Sequence, residues 1–185
     1  MKTAIRISFI LFLVFAAVHS ISVGQSQEEP GSAWYYGEAH TYRIQAPKGW
    51  SLDTENAYKD GYTAAMCPEG EFYLDAKRAI FIWIFPKDSL TFEQFFISDS
   101  AYYVGKQKGL VFSRKEYSYT RDSAQVVILT TADPGGPYNL AMVAYIDTET
   151  EVVIYELNID SREDHAPAES AFREALRRFG YVEGE

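Results

Sequence analysis

The sequence specifies an α+β domain, an antiparallel β-sheet sandwiched by helices, and three observations carry that assignment. Arg78-Ala-Ile-Phe-Ile-Trp-Ile-Phe85 is a continuous apolar and β-branched run closed by Pro86. Such a run is the pattern of a central strand covered on both faces. From Thr91 the apolar period becomes helical: Phe92, Phe95, Phe96 and Tyr103 fall on one face, behind a Thr91/Gln94 capping box. Four further β segments and a C-terminal amphipathic helix follow, so strands and helices segregate as they do in α+β layers.

Taken in order, the domain opens near Trp34. His40-Thr-Tyr-Arg-Ile-Gln45 alternates in character and runs into Ala46-Pro-Lys-Gly49, which offers both a fixed φ and a permissive glycine. That predicts a strand, a turn, and Trp50 beginning the next strand. A short strand is expected over Tyr62–Met66, after the Lys59-Asp-Gly61 turn signal. The helix is expected from Thr91 to Lys106, its lysines suiting the C-terminal end and Gly109 supplying a left-handed stop. The remaining strands are expected over 110–120, 125–131, 140–147 and 152–159. Their connections carry turn chemistry in Asp133-Pro-Gly-Gly-Pro137 and Asp147-Thr-Glu-Thr150. An antiparallel meander is the simplest topology, in one sheet of about six or seven strands. The last helix has Pro167 in its first turn, Ala168, Phe172, Ala175, Leu176 and Phe179 on one face, and Gly180 as its stop.

Ahead of this domain, Lys2 and Arg6 precede a charge-free apolar run from Ile7 to Val18, the order of a secretory n-region and h-region. About a dozen residues is too short for a bilayer span, which takes roughly 18 to 20. Residues 1–24 are therefore expected to be a signal peptide cut before Gln25, with a cut before Ile21 as the alternative. Residues 25–33, polar and holding Pro30 and Gly31, are expected to be a flexible lead-in, and 34–182 a single domain. A lipoprotein needs a cysteine just after the apolar run, and the chain's one cysteine is Cys67. The expected location is outside the cytoplasm, in a periplasm or fully secreted.

Removing 24 of the 185 residues leaves 161, the length of one ordinary domain. The full chain carries 17 Lys and Arg against 26 Asp and Glu. Losing Lys2 and Arg6 takes the net charge from −9 to −11. A surface so acidic repels nucleic acid and anionic lipid. A single cysteine forms no internal disulfide, so stability has to come from packing. Cys67 lies in Tyr62-Thr-Ala-Ala-Met-Cys67 ahead of Pro68, among small and apolar neighbours. It reads as a small buried hydrophobe rather than a reactive thiol.

The motifs that carry chemistry are absent from the sequence. There is no G-x-S-x-G elbow, phosphate-cradling glycine loop, H-E-x-x-H or paired-cysteine site. His40 precedes a strand and His165 leads into the last helix; each reads as a surface residue rather than a ligand or base. Asp164 suits the cap of that helix. Asp147, Glu149 and Glu151 form an acidic hairpin, but they lack the glycine and twelfth-position acid of a calcium loop. No catalytic, metal or cofactor site is assigned. Twenty-six aromatic residues remain after export, and Tyr35, Tyr36, Tyr58, Tyr62, Tyr102, Tyr103, Tyr117 and Tyr119 lie in segments expected to be partly exposed. Tyrosine suits interfaces, because it buries apolar area while keeping a polar tip, and it equally suits a half-exposed sheet face.

The stretch Tyr42-Arg-Ile-Gln-Ala-Pro-Lys-Gly-Trp50 resembles the "aromatic, strand, Pro-x-Gly-Trp" opening of exported PsbP-like and DcrB-like proteins. Leu140–Asp147, the hairpin, Val152–Leu157 and a final Phe172–Phe179 helix resemble their ending. The resemblance spans Trp34 to Tyr181 and rests on structural motifs. It implies a PsbP-like α/β/α sandwich used mostly as a binding or assembly module. The best-known member of that family is an extrinsic subunit of the photosynthetic oxygen-evolving complex. None of the residues here carries over its binding chemistry.

The expected function is accordingly a non-catalytic exported binding or assembly module, whose partner would be another exported protein or an envelope component. A small hydrolase with a convergent active site and a purely structural envelope protein are the alternatives.

Overall fold

The computed structural model describes residues 31–37, 40–106, 112–117, 126–131, 139–148, 150–160 and 163–183. The expected signal peptide, most of the lead-in, Gly109, the Asp133–Pro137 turn, Tyr119 and Glu149 lie outside the described residues. The elements are β1 (Ser32–Tyr36), β2 (His40–Gln45), β3 (Trp50–Asp53), α1 (Glu55–Lys59), β4 (Ala64–Pro68), β5 (Arg78–Pro86) and α2 (Phe92–Lys106). They continue with β6 (Phe112–Tyr117), β7 (Val126–Thr131), β8 (Asn139–Thr148), β9 (Glu151–Ile159), α3 (His165–Arg178) and β10 (Gly180–Glu183).

Seven strands form the main sheet, in the order β3-β4-β5-β9-β8-β7-β6. Every neighbouring pair is antiparallel. As its apolar run requires, β5 lies inside this sheet, between β4 and β9. It also sorts its side chains: Ile80, Ile82 and Ile84 join one core, and Phe81, Trp83 and Phe85 point to the other face.

A second, three-stranded sheet, β1-β2-β10, corrects the expectation of a single sheet: the strand over 40–45 and the strand from Trp50 belong to different sheets. The turn between them redirects the chain. Gly49 has φ +78, and the Trp50 N–H donates to the Pro47 carbonyl at 3.1 Å. This geometry needs a glycine at the third turn position. The partners of β2 come from stretches without a strand signal: β1 begins at Ser32, and β10 follows the last helix. Gly180 is therefore not a left-handed stop. The helix ends because Phe179 is extended, at φ −64 and ψ 137, and leads straight into β10.

The isoleucine face of the main sheet is covered by α3 and the small sheet. Tyr42, Ile44, Met66, Met142, Tyr155, Phe172 and Phe179 are buried there. Asp164 caps α3, its Oδ1 accepting from the Ala166 N–H at 3.1 Å. Arg178 pairs with Glu174 at 2.6 Å and donates to the Ala46 carbonyl at 3.3 Å, tying the end of α3 to the end of β2. On the opposite face, α2 lays Phe92 and Phe96 over Val143, Tyr145, Val152 and Ile154. Its capping box forms as expected: the Thr91 N–H donates to Gln94 Oε1 at 2.9 Å and the Gln94 N–H to Thr91 Oγ1 at 3.3 Å. Near the β3 edge, α1 and the Phe72–Ala76 turn cover Ala65, Cys67 and Ala79.

Candidate functional site

The face of β5 opposite its isoleucines carries aromatic rings, Phe81, Trp83 and Phe85, that are only half-buried. Tyr62 follows α1, its N–H donating to the Ala57 carbonyl at 2.9 Å. Its ring stands 4.6 Å from that of Phe81 and 5.1 Å from that of Trp83. The cluster continues through Tyr73, 6.3 Å from Tyr62, to Phe72, 4.6 Å from Tyr73. Tyr73 is enclosed, whereas Tyr62, Phe81 and Trp83 are half-buried and Phe72 and Leu74 are 43% and 45% exposed. Tyr58, on α1, is 69% exposed. A contiguous aromatic face on β5, beside the α2 and α1 clusters, thus stays partly in contact with solvent. Such a surface suits association, since aromatic rings supply large contact area at little entropic cost.

The Tyr73 hydroxyl donates to Asp60 Oδ2 at 2.5 Å. Burial, and then the Asp60 carboxylate beside it, pushes the Tyr73 phenol above its ordinary range. Asp60 is thereby fixed against the aromatic cluster. Across the strand, Glu156 is the register partner of Phe81 and accepts from Asn158 Nδ2 at 2.7 Å. The sequence points to this face more clearly than composition suggests. Alternating isoleucine and aromatic residues along 80–85 assign the aromatics to one side, a signal that a reading of the run as uniform core overlooks.

The strongest polar cluster lies elsewhere, between the two sheets. His40 is not a surface residue: it is 4% exposed, because alternation along β2 turns His40, Tyr42 and Ile44 inward together. The Tyr42 hydroxyl donates to Glu151 Oε2 and lies 3.0 Å from Thr148 Oγ1. Thr148 Oγ1 donates to the Glu151 carbonyl at 3.0 Å. His40 Nδ1 is 3.5 Å from Thr150 Oγ1, beyond the reach of an effective proton transfer. His165, half-exposed at the start of α3, lies on a different element.

The two described acids of the hairpin do not converge. Asp147 pairs with Lys87 at 2.6 Å, while Glu151, one register position along and on the other face, joins Tyr42. Among the described residues, no three His, Cys, Asp or Glu side chains come together to hold a metal ion. Cys67 is buried and free, 3.6 Å from Ser51 Oγ, and its thiol donates to the Glu71 carbonyl at 3.2 Å. Burial raises its pKa. Of the tyrosines expected at the surface, Tyr36 and Tyr58 are exposed and Tyr62 half so. Tyr35 is 7% exposed and belongs to the core, a consequence of β1 pairing with β2. The side chains of Tyr102, Tyr103 and Tyr117 lie outside the described residues. No described helix is long and apolar enough to cross a membrane.

No protein-family model and no curated protein matches the chain. Among solved structures, cyanobacterial PsbP (CyanoP) from Synechocystis sp. PCC 6803 matches with a TM-score of 0.50 at 12% identity, over 87% of this chain and 98% of that one. A point mutant of the protein Mog1 gives a TM-score of 0.48 at 16% identity, over 83% of this chain and 96% of that one. Of the two names in the sequence resemblance, PsbP is the one that the CyanoP structure carries. Two helical layers around an antiparallel sheet, matched over nearly the whole length of CyanoP, give this chain a PsbP-like α+β fold.

Proposed function

We propose that this chain is exported and works as a non-catalytic binding or assembly module whose contact surface is the aromatic face around Tyr62, Phe81 and Trp83. One observation carries the proposal: although they pack beside the α2 and α1 clusters, the rings of Tyr62, Phe81 and Trp83 stay only half-buried, with Tyr62 4.6 Å from Phe81 and 5.1 Å from Trp83. Contiguous apolar surface on a soluble domain marks interaction sites. The sequence resemblance, to a family used mostly for association, points the same way.

The experiment compares the full-length chain with a Tyr62→Ala/Trp83→Ala variant by chemical cross-linking in intact cells. The proposal expects a defined cross-linked species, outside the cytoplasm, that the variant loses while keeping its fold. Amino-terminal sequencing of the exported protein is expected to begin at Gln25.

The hydrolase alternative would draw on the Thr150–His40 contact. Turnover of an ester, peptide or glycoside substrate that Thr150→Val or His40→Gln abolishes would replace the binding proposal.

A further inference from the structure

The helix α2 is joined to the sheet by a strained turn. Asp88 holds a left-handed φ of +50, a conformation that favours glycine, and the Leu90 N–H closes the turn on the Lys87 carbonyl at 2.8 Å. Lys87 is fixed to the sheet: its N–H donates to the Thr150 carbonyl at 2.9 Å, and its Nζ pairs with Asp147 at 2.6 Å. Asp88, Ser89 and Leu90 are exposed, so the buried part of the connection ends at Lys87.

Beyond that turn, α2 meets the sheet along one face. Phe95 lies 6.1 Å from Phe85, and Phe96 lies 5.2 Å from Tyr145. Asp99 follows three and four residues later, on the same face, and the Tyr145 hydroxyl donates to its Oδ2 at 2.7 Å. Glu93, Gln94, Ile97, Ser98 and Ala101 are exposed on the other flank.

Asp99 is thus a half-buried carboxyl at an apolar interface, and among the described residues no lysine, arginine or histidine pairs with it. The charged groups on the facing elements are occupied or distant. On β8, Asp147 is two residues from Tyr145 and is held by Lys87. On β9, Glu156 lies two residues past Ile154, the register partner of Tyr145, and accepts from Asn158. Neither β7 nor the stretch of β5 from Ala79 has an ionisable residue. On β6, two strands from β8, Glu116 falls in the cross-strand row of Tyr145 and Arg114 in the row of Val143. On α2 itself, Glu93 precedes Asp99, and Tyr102, Tyr103 and Lys106 follow it in sequence.

We propose that α2 is a latched cover, turning about Asp88 and held at its middle by the Asp99–Tyr145 hydrogen bond, whose hold on the sheet weakens as pH rises. Burial raises the pKa of Asp99, while the Tyr145 hydrogen bond lowers it by less. The docked helix therefore favours the neutral carboxyl. A raised folded pKa gives a contribution that is complete below the unfolded value and lost as pH rises through the folded one. Lifting α2 uncovers Val143, Val152 and Ile154, the apolar patch on which Phe92 and Phe96 rest.

Amide exchange of the full-length chain, read by NMR from about pH 4 to pH 8, tests this device. Rates are expressed as protection factors, so that the intrinsic pH dependence of exchange cancels. Protection from Phe95 to Ala101 is expected to fall several-fold with rising pH, while the Lys87 N–H and the amides of α3 keep theirs. Asp99→Asn, which preserves size and a hydrogen-bonding partner for Tyr145, should make the α2 profile flat. Tyr145→Phe should lower α2 protection roughly tenfold where Asp99 is ionised, and should move the fall to higher pH. A wild-type α2 profile without pH dependence overturns the proposal. So does a fall that persists in Asp99→Asn, which would assign it to another group, or an equal fall in α3, which would make it a loss of global stability. Indifference of the profile to Tyr145→Phe overturns the latch.

Discussion

Gly37 and Glu151 approach each other so closely that a β-carbon on Gly37 would lie 2.5 Å from Glu151 Oε1 and 2.7 Å from Oε2. The carboxylate cannot simply swing away. It is 6% exposed and accepts from Tyr42, whose ring would itself stand 2.9 Å from the new methyl group. Overpacking of this kind costs about 1–3 kcal/mol. Gly37→Ala should therefore lower the unfolding free energy measured by denaturant titration by that amount, whereas Gly70→Ala, with nothing within 4 Å, should show only the backbone cost of its positive φ of 85. Equal loss at the two positions would show that Glu151 relaxes freely.

Tyr42→Phe isolates the hydroxyl of the same cluster. The ring keeps its stacked contact with Phe179, 6.0 Å away, so packing is nearly unchanged. Glu151 Oε2 and Thr148 Oγ1 both lose a partner in a site that water does not reach. The expected cost is about 1.5–3 kcal/mol, the range for a hydrogen bond to a charged group. Tyr36→Phe, 44% exposed on the neighbouring strand, should change stability by less than about 0.5 kcal/mol. A Tyr42→Phe loss as small as that would mean that the cluster is hydrated.

Cys67 gives a pH-dependent expectation. Its thiol, ordinarily near 9.0, titrates higher in the folded chain because burial disfavours the thiolate. A raised folded pKa contributes stability that is complete below the unfolded value and lost as pH rises through the folded one. Stability should thus begin to fall above about pH 9, with Tyr73 and Tyr155, both raised by burial from 10.0, adding to the fall at higher pH. Cys67→Ala should remove the earliest part of that slope. Native thiol labelling at neutral pH should be slow until the chain unfolds, and rapid labelling of the folded protein would contradict the burial.

The parts of this fold that were legible from sequence are those in which local pattern and tertiary environment agree. The β5 run, the Thr91/Gln94 capping box and the Asp164 cap each state their role within a few residues. The second sheet was illegible, because β1 begins inside a polar stretch and β10 has four residues, so neither carries a period of its own. His40 was legible and misread: the alternation that marks β2 also places His40 on the face of Tyr42 and Ile44. The candidate site divides similarly. The Ile and aromatic sorting along β5 was present in the sequence, but the meeting of Tyr62 with Phe81 and Trp83 depends on β4–β5 pairing, which brings together residues about twenty apart.

The most direct measurement places a benzoyl-phenylalanine cross-linker at position 62 of the full-length chain, with position 36 on the small sheet as the control, and irradiates intact cells. If the aromatic face is the contact surface, position 62 yields one dominant adduct with another protein, which Trp83→Ala removes and which position 36 does not form. Absence of an adduct at position 62, or the same adducts from both positions, would contradict the assignment of this face as the site of association.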